Sequence, residues 1–225
     1  MEKNYSVAID GPSGAGKSTL ARRCAERFGF LYVDTGAIYR TVGLAALRAG
    51  IAPDEPEQVL PLLTGLELDL RHSEDGQHMF LGNEDVNGLI RTPEVSAFAS
   101  KVSAIAAVRA FLMDMQRSLA ERNSVIMDGR DIGTVVLPQA DIKVFLTASP
   151  EARAQRRLKE LQAKGAAISL EEVLRDMKER DERDSQRAAA PLKAAEDAVL
   201  LDTTELSLEQ SIEALSALIS GVMNR

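Results

Sequence analysis

The sequence has 225 residues with one cysteine, no tryptophan, three tyrosines, six phenylalanines and two histidines. A single cysteine, Cys24, excludes an internal disulfide, and a reducing, cytoplasmic setting is expected. Cys24 falls on the apolar face of a helical pattern, so it reads as a small core residue rather than a reactive thiol. So few aromatic rings leave no base-stacking sheet of the single-strand-binding kind. Basic residues are not in excess, and the formal net charge is −7. That argues against non-specific binding of polymeric nucleic acid, but not against a mononucleotide held in a locally basic pocket. No apolar run approaches the ~20 residues of a membrane span. Met1-Glu2-Lys3-Asn4 leads straight into an apolar strand, so neither a membrane segment nor a signal peptide is expected. His72 and His78 have no cysteine or carboxylate cluster at ligand spacing. They read as solvated turn residues, not metal ligands.

What is present is organised around Ser6 to Thr19. Val7 to Ile9 reads as a buried strand, and Gly11-x-x-x-x-Gly16-Lys17-Ser18 fits the phosphate-binding P-loop pattern. A helical pattern follows at once, with Leu20, Ala21, Cys24, Ala25 and Phe28 on one face. The glycines let consecutive backbone N–H groups turn inward as an anion nest, and the helix N-terminus adds unpaired donors. Lys17 would reach the outer phosphates, and the Ser18 hydroxyl would sit on Mg²⁺. A nucleoside triphosphate site is expected here.

Further along, Phe30 to Val33 reads as a second buried strand, broken by Asp34-Thr35-Gly36, with a helix from Ala37 to Ala49. A short helix is expected around Glu57 to Leu63. Leu66, Leu68 and Leu70 alternate with charged residues to His72, Asp75-Gly76 reads as a hairpin turn, and Met79-Phe80-Leu81 returns. With Glu84-Asp85-Val86 as a third strand, residues 65–90 form an expected antiparallel insert. Thr92-Pro93-Glu94 opens helical patterning to about Glu121, broken near Ala107. Core strands follow at Ser124 to Asp128, Ile142 to Leu146 and Ala198 to Leu201. Helices are expected from Ser149 to about Lys164, after the Ser169-Leu170-Glu171-Glu172 capping box, and after Ser207. Strands alternating with helices imply a doubly wound α/β fold with a five-stranded parallel sheet.

Ligands gather at the C-terminal ends of such strands. The second strand leads into Asp34-Thr35-Gly36-Ala37-Ile38-Tyr39-Arg40, and the third into Asp128-Gly129-Arg130-Asp131-Ile132-Gly133-Thr134. Asp128 ends an apolar strand, where P-loop enzymes place the carboxylate that supports Mg²⁺. Arg40 reads equally as a solvated helix arginine or a ligand, and Arg130 as a ligand or a structural ion pair. On the late helix, the apolar stripe of Leu170, Val173 and Met177 continues through Arg180, Asp184 and Arg187. Unpaired charge does not belong in a core, so this end either leaves the core to face an anionic ligand or ends in solvent as a charge run from Lys178 to Arg187. Arg153, Arg156 and Arg157 share one helix face, either as a cationic flap or as a solvated surface.

Arginines in this number, without an obvious His or Lys base, suggest the acceptor. A phosphate monoester has a second pKa near ~6, so it needs no base, only relief of repulsion between two anions. That favours a nucleoside monophosphate kinase. A kinase for a small hydroxyl metabolite would call for a positioned base. A GTP switch would call for an Asn-Lys-x-Asp loop, which is absent.

Gly11 to Thr19, Asp34 to Arg40, Asp128 to Thr134 and Arg180-Asp181-x-x-Asp184-x-x-Arg187 together resemble the bacterial cytidylate kinase family over essentially the whole chain. The resemblance implies ATP- and Mg²⁺-dependent phosphorylation of CMP and dCMP by a monomer. ATP would lie on Gly11, Pro12, Ser13, Gly14, Ala15, Gly16, Lys17, Ser18 and Thr19, under a lid carrying Arg153, Arg156 and Arg157. Ser18 would hold Mg²⁺, with Asp128 supporting it through water. The acceptor phosphate would meet Arg40, Arg130 and Arg187, with Thr35 nearby. Ser100, Arg109 and Asp131 would read the cytosine edge, and Tyr39, Arg180 and Asp184 would approach the sugar. Lys17, Arg130 and Arg187 would be catalytic. The implied division is a core of residues 1–36, 122–150 and 190–225. A monophosphate-binding region of 37–121 and a lid with its basic helix, 151–187, complete it.

Overall fold

Val7, Ala8 and Ile9 are fully buried, which a strand achieves only in the middle of a sheet covered on both faces. The computed structural model, which describes residues 3–73, 76–163 and 165–224, places them in β1 (Ser6–Asp10). Four strands join it: β2 (Leu31–Asp34), β6 (Val125–Gly129), β7 (Ile142–Thr147) and β8 (Val199–Asp202). All pair in parallel in the order β2-β6-β1-β7-β8. Side chains alternate between two apolar layers. Ala8, Val33, Val125 and Met127 face one layer with α2 (Thr35–Arg48) and α5 (Ala106–Arg122). Val7, Ile9, Ile126 and Val144 face the other with α1 (Lys17–Phe28) and α8 (Leu208–Met223). Cys24 is fully buried in this second layer, its Sγ 3.6 Å from the Ser216 hydroxyl. The five-stranded parallel sheet matches expectation, although β8 is an exposed edge, with Leu200 66% accessible.

The insert is a three-stranded antiparallel sheet of β3 (Leu68–Ser73), β4 (Gly76–Leu81) and β5 (Glu84–Asp85), preceded by α3 (Pro56–Thr64). Gly76, at φ +117°, opens β4; its expected turn partner Asp75 lies outside the described residues. The two histidines correct the sequence reading. The strands extend past them, so both are strand residues rather than turn residues, with His72 still exposed. His72 Nε2 lies 3.0 Å from the Tyr32 carbonyl, and His78 Nδ1 lies 2.6 Å from Asp85. His72 therefore helps dock the insert on β2. Gln77 does the same, accepting the Asp34 N–H at 2.8 Å and donating to the Asp34 carbonyl at 3.2 Å.

The helical stretch after Thr92 is two helices, α4 (Pro93–Val102) and α5, meeting at 99°. The break falls at residues 103–105, a little before the expected Ala107. It turns Ser100 and Arg109 toward the same cleft. α6 (Pro150–Ala163) and α7 (Leu170–Gln186) pack on each other through Ala154, Val173 and Met177. The expected α6 end at Lys164 lies outside the described residues. Ser169 and Glu172 form the capping box at the start of α7. No single helix among the described residues is long and apolar enough to cross a membrane.

Candidate active site

The C-terminal ends of β1, β2 and β6 open onto one cleft of about 670 Å³. On its donor side the P-loop turns through Gly11, Gly14 and Gly16 at positive φ. A Cβ on Gly11 would strike the Leu146 carbonyl of β7, so only glycine lets the loop lie this close to the sheet. No side chain caps α1, leaving its first N–H groups for an anion. Lys17 is buried and its Nζ donates to the Gly11 and Pro12 carbonyls at 2.8 and 2.7 Å. Burial, with the Arg130 charge nearby, pushes its pKa well below the usual lysine range. An arriving phosphate would reverse that cost.

Ser18 Oγ donates to Asp128 Oδ2 at 3.0 Å, and the Tyr32 hydroxyl donates to Asp128 Oδ1 at 2.9 Å. Burial and the neighbouring Asp34 raise the Asp128 carboxyl to about 6. The described residues hold no cluster of three metal-ligating side chains. Two hard oxygens and little else suit an ion that keeps waters and takes phosphate oxygens, as Mg²⁺ does.

Every residue assigned above to the acceptor side lines the cleft. Asp34 caps α2 by accepting the Ala37 N–H, and also binds Arg40 at 2.9 Å. Burial opposes its charge, but Arg40 and Arg91 outweigh that and hold its carboxyl below the usual range. The Thr35 hydroxyl donates to the Asp128 carbonyl at 2.7 Å, joining β2 to β6 at the cleft floor. Asp131 is buried between two arginines: Arg109 pairs with it directly, and Arg187 Nη2 donates to it at 3.0 Å. Arg109 also donates to the Ser103 carbonyl and lies over the Tyr39 ring. Asp184 accepts from Arg130 Nε at 2.9 Å. Buried Nε atoms of Arg40 and Arg180 have no hydrogen-bond partner among the described residues. Burial and the adjacent Arg130 lower Arg180 to about 10.

Two of the three candidate flap arginines do not face the cleft. Arg153 donates to the Ala148 and Ser13 carbonyls and pairs with Asp181, and Arg156 donates to Thr203. Only Arg157 lines it, paired with Glu160 at 3.0 Å. Guanidinium groups on a helix beside strand ends find carbonyl oxygens there, and charge-assisted bonds hold them. Other residues were not legible beforehand. Arg91 lines the cleft and reaches Asp34 at 3.3 Å, but lies in a stretch without periodicity. Arg183 Nη1 donates to the Ser100 hydroxyl at 3.1 Å. Asp10 accepts the Ile132 and Gly133 N–H groups, each at 2.7 Å, and so sets the loop that carries Asp131. Its sequence signal is the one Asp34 and Asp128 share: an aspartate ending an apolar strand.

The cytidylate kinase family model matches residues 7–221. A cytidylate kinase from an Exiguobacterium species is 48% identical over 222 residues, covering 99% of each chain. One from Desulfitobacterium hafniense is 49% identical over 220 residues, covering 98% of this chain and 94% of that one. Among solved structures, an uncharacterized protein from Eubacterium ventriosum aligns with a TM-score of 0.54 at 12% identity. The alignment covers 99% of this chain and 100% of that one, a likeness of fold alone.

Proposed function

The chain belongs to the cytidylate kinase family, and on that premise we propose that it transfers the γ-phosphoryl group of ATP to CMP or dCMP, giving ADP and CDP or dCDP. The observation that carries this is a single cleft with cations on both walls and no histidine in its lining. Lys17 and the P-loop amides take the donor. Arg40, Arg130 and Arg187 take the acceptor phosphate, which is a dianion near neutral pH and needs no base. The remaining difficulty is repulsion between two anions, and positioned cations offset it. One such arginine is worth about 10³–10⁵ in rate in related phosphoryl transfers.

Ser18 and Asp128 are the residues that would hold Mg²⁺, Asp128 through water. The bound ion would neutralise charge on the transferring phosphates. Asp131 would accept from the cytosine N4 amine, while Arg109 and Ser100 meet the rest of the base edge. Uracil would set a carbonyl oxygen against that carboxylate. Tyr39, Arg180 and Asp184 adjoin the sugar, and Thr35 supports the loop beneath. Residues 37–121 serve as the monophosphate-binding region and 151–187 as the lid, in which Arg157 reaches ATP. Arg153 and Arg156 serve ATP through the loops they hold. A closed lid excludes water as a competing acceptor.

The test is ADP release from Mg·ATP with CMP, dCMP, UMP, AMP and small hydroxyl metabolites as acceptors. CMP and dCMP should stimulate release strongly and UMP weakly. No stimulation by CMP or dCMP would sink the proposal, and UMP matching CMP would sink the base-reading part.

A further inference from the structure

Asp181 sits inside the Arg180-Asp181-x-x-Asp184-x-x-Arg187 stretch, yet it does not line the cleft. Arg180 and Asp184 on α7 do line it; adjacent helix positions point about 100° apart, so Asp181 faces elsewhere. Its carboxylate turns instead to the donor loop. Oδ1 accepts the Ser13 N–H at 3.0 Å, and Oδ2 accepts from Arg153 Nη1 at 2.5 Å. Arg153 Nη1 also donates to the Ser13 carbonyl at 2.8 Å. Both backbone groups of one P-loop residue are thus held by an ion pair that joins α6 to α7. The fit is tight at the next residue as well, since a Cβ on Gly14 would lie 2.8 Å from Met177 Cε of α7.

We infer that the Asp181–Arg153 pair couples the two substrate sites. It pins α7 to the P-loop, so phosphate binding that orders the loop also orders the helix presenting Arg180, Asp184 and Arg187 to the acceptor. Asp181 and Arg153 are positioning residues in this arrangement: neither faces the cleft. The pair's bond is charge-assisted, and each partner also holds one backbone group of Ser13, which resists sliding of helix against loop. The inference rests on the two-substrate reading above. By linkage, CMP must then tighten binding of the ATP analogue by the same factor as the analogue tightens CMP.

The test is calorimetric titration of CMP with and without a saturating non-hydrolysable ATP analogue and Mg²⁺. The parent protein should bind CMP about tenfold more tightly with the analogue, within the usual range of coupling. Asp181→Asn keeps an acceptor for Ser13 and loses the ion pair. Arg153→Met keeps the packed stem. In either variant, once thermal unfolding shows it folded, the ratio should fall to within about twofold of one, while CMP alone binds nearly as before. A ratio near one in the parent, or an unchanged ratio in the folded variants, overturns the inference. Failure of CMP to bind the parent at all would instead fell the two-substrate reading, and this inference with it.

Discussion

At the scale of single residues, the proposed reading of the base turns on Asp131. Its carboxylate is buried and faces Arg109 and Arg187 together. The two guanidinium groups offset the cost of burying it. Asp131→Asn keeps the shape, halves the acceptor capacity and adds an N–H₂ donor. We expect kcat/KM for CMP to fall about 10²-fold, equivalent to ~2.7 kcal/mol of transition-state stabilisation. KM for ATP should barely move, and the CMP-to-UMP preference should narrow because the new amide can donate to a carbonyl. Equal losses for both nucleotides would mark Asp131 as structural. The Asp128-Gly129-Arg130-Asp131 run and the family resemblance single it out in the sequence. That Arg109 and Arg187 pair with it is not legible there, because they come from α5 and from the end of α7.

At the scale of elements, the acceptor wall depends on how closely α2 and α4 approach. Gly43 lies inside α2, where alanine would ordinarily favour the helix by about 1 kcal/mol. Here a Cβ would lie 2.8 Å from the Ala99 backbone nitrogen and 3.2 Å from the Val95 carbonyl of α4. Backbone cannot give way as a side chain can, so α4 must shift. Overpacking of this kind costs roughly 1–3 kcal/mol. Ser100, next to Ala99, would move with it. Gly43→Ala should therefore lower thermal stability and raise KM for CMP several-fold, leaving KM for ATP unchanged. Steady-state kinetics with each substrate varied in turn will check this. A matching rise in KM for ATP would mean that α4 is not the wall we take it to be. Helix periodicity marked both elements in the sequence, but their separation is a tertiary quantity.

At the scale of the whole molecule, buried aspartates make stability depend on pH. Burial raises Asp10 from 3.8 to about 6, against the opposing pull of the Gly133 and Ile132 amides. Between those values the folded state keeps a proton that the unfolded chain has released. This group's contribution is thus most favourable below the unfolded value and declines as pH rises through about 6. The decline is at most roughly 3 kcal/mol, at ~1.36 kcal/mol per unit. Asp34, Asp141 and Asp184, whose carboxyls are held low, contribute the opposite slope. The difference between the parent protein and Asp10→Asn isolates Asp10. In urea unfolding from pH 4.5 to 7.5, the parent should lose stability relative to the variant as pH rises. Parallel curves would show that Asp10 is ionised throughout.

Local pattern was enough for what depends on neighbours along the chain. The strand–P-loop–helix unit, the parallel sheet, the antiparallel insert and the Ser169 and Ser207 caps all follow from periodicity and spacing within about ten residues. The aspartate-bearing loops were legible for the same reason, since strand ends in a parallel sheet share one edge. Tertiary structure alone decided what a long side chain reaches once distant segments meet. Arg153 and Arg156 share a helix face with Arg157, yet they bind loop carbonyls instead of lining the cleft. His72 reads as a turn residue and is a docking contact to Tyr32. Asp181 lies 168 residues from Ser13 and holds its N–H. A guanidinium or a carboxylate goes to whichever partner offsets the loss of water, and that partner comes from a part of the chain that local pattern does not place.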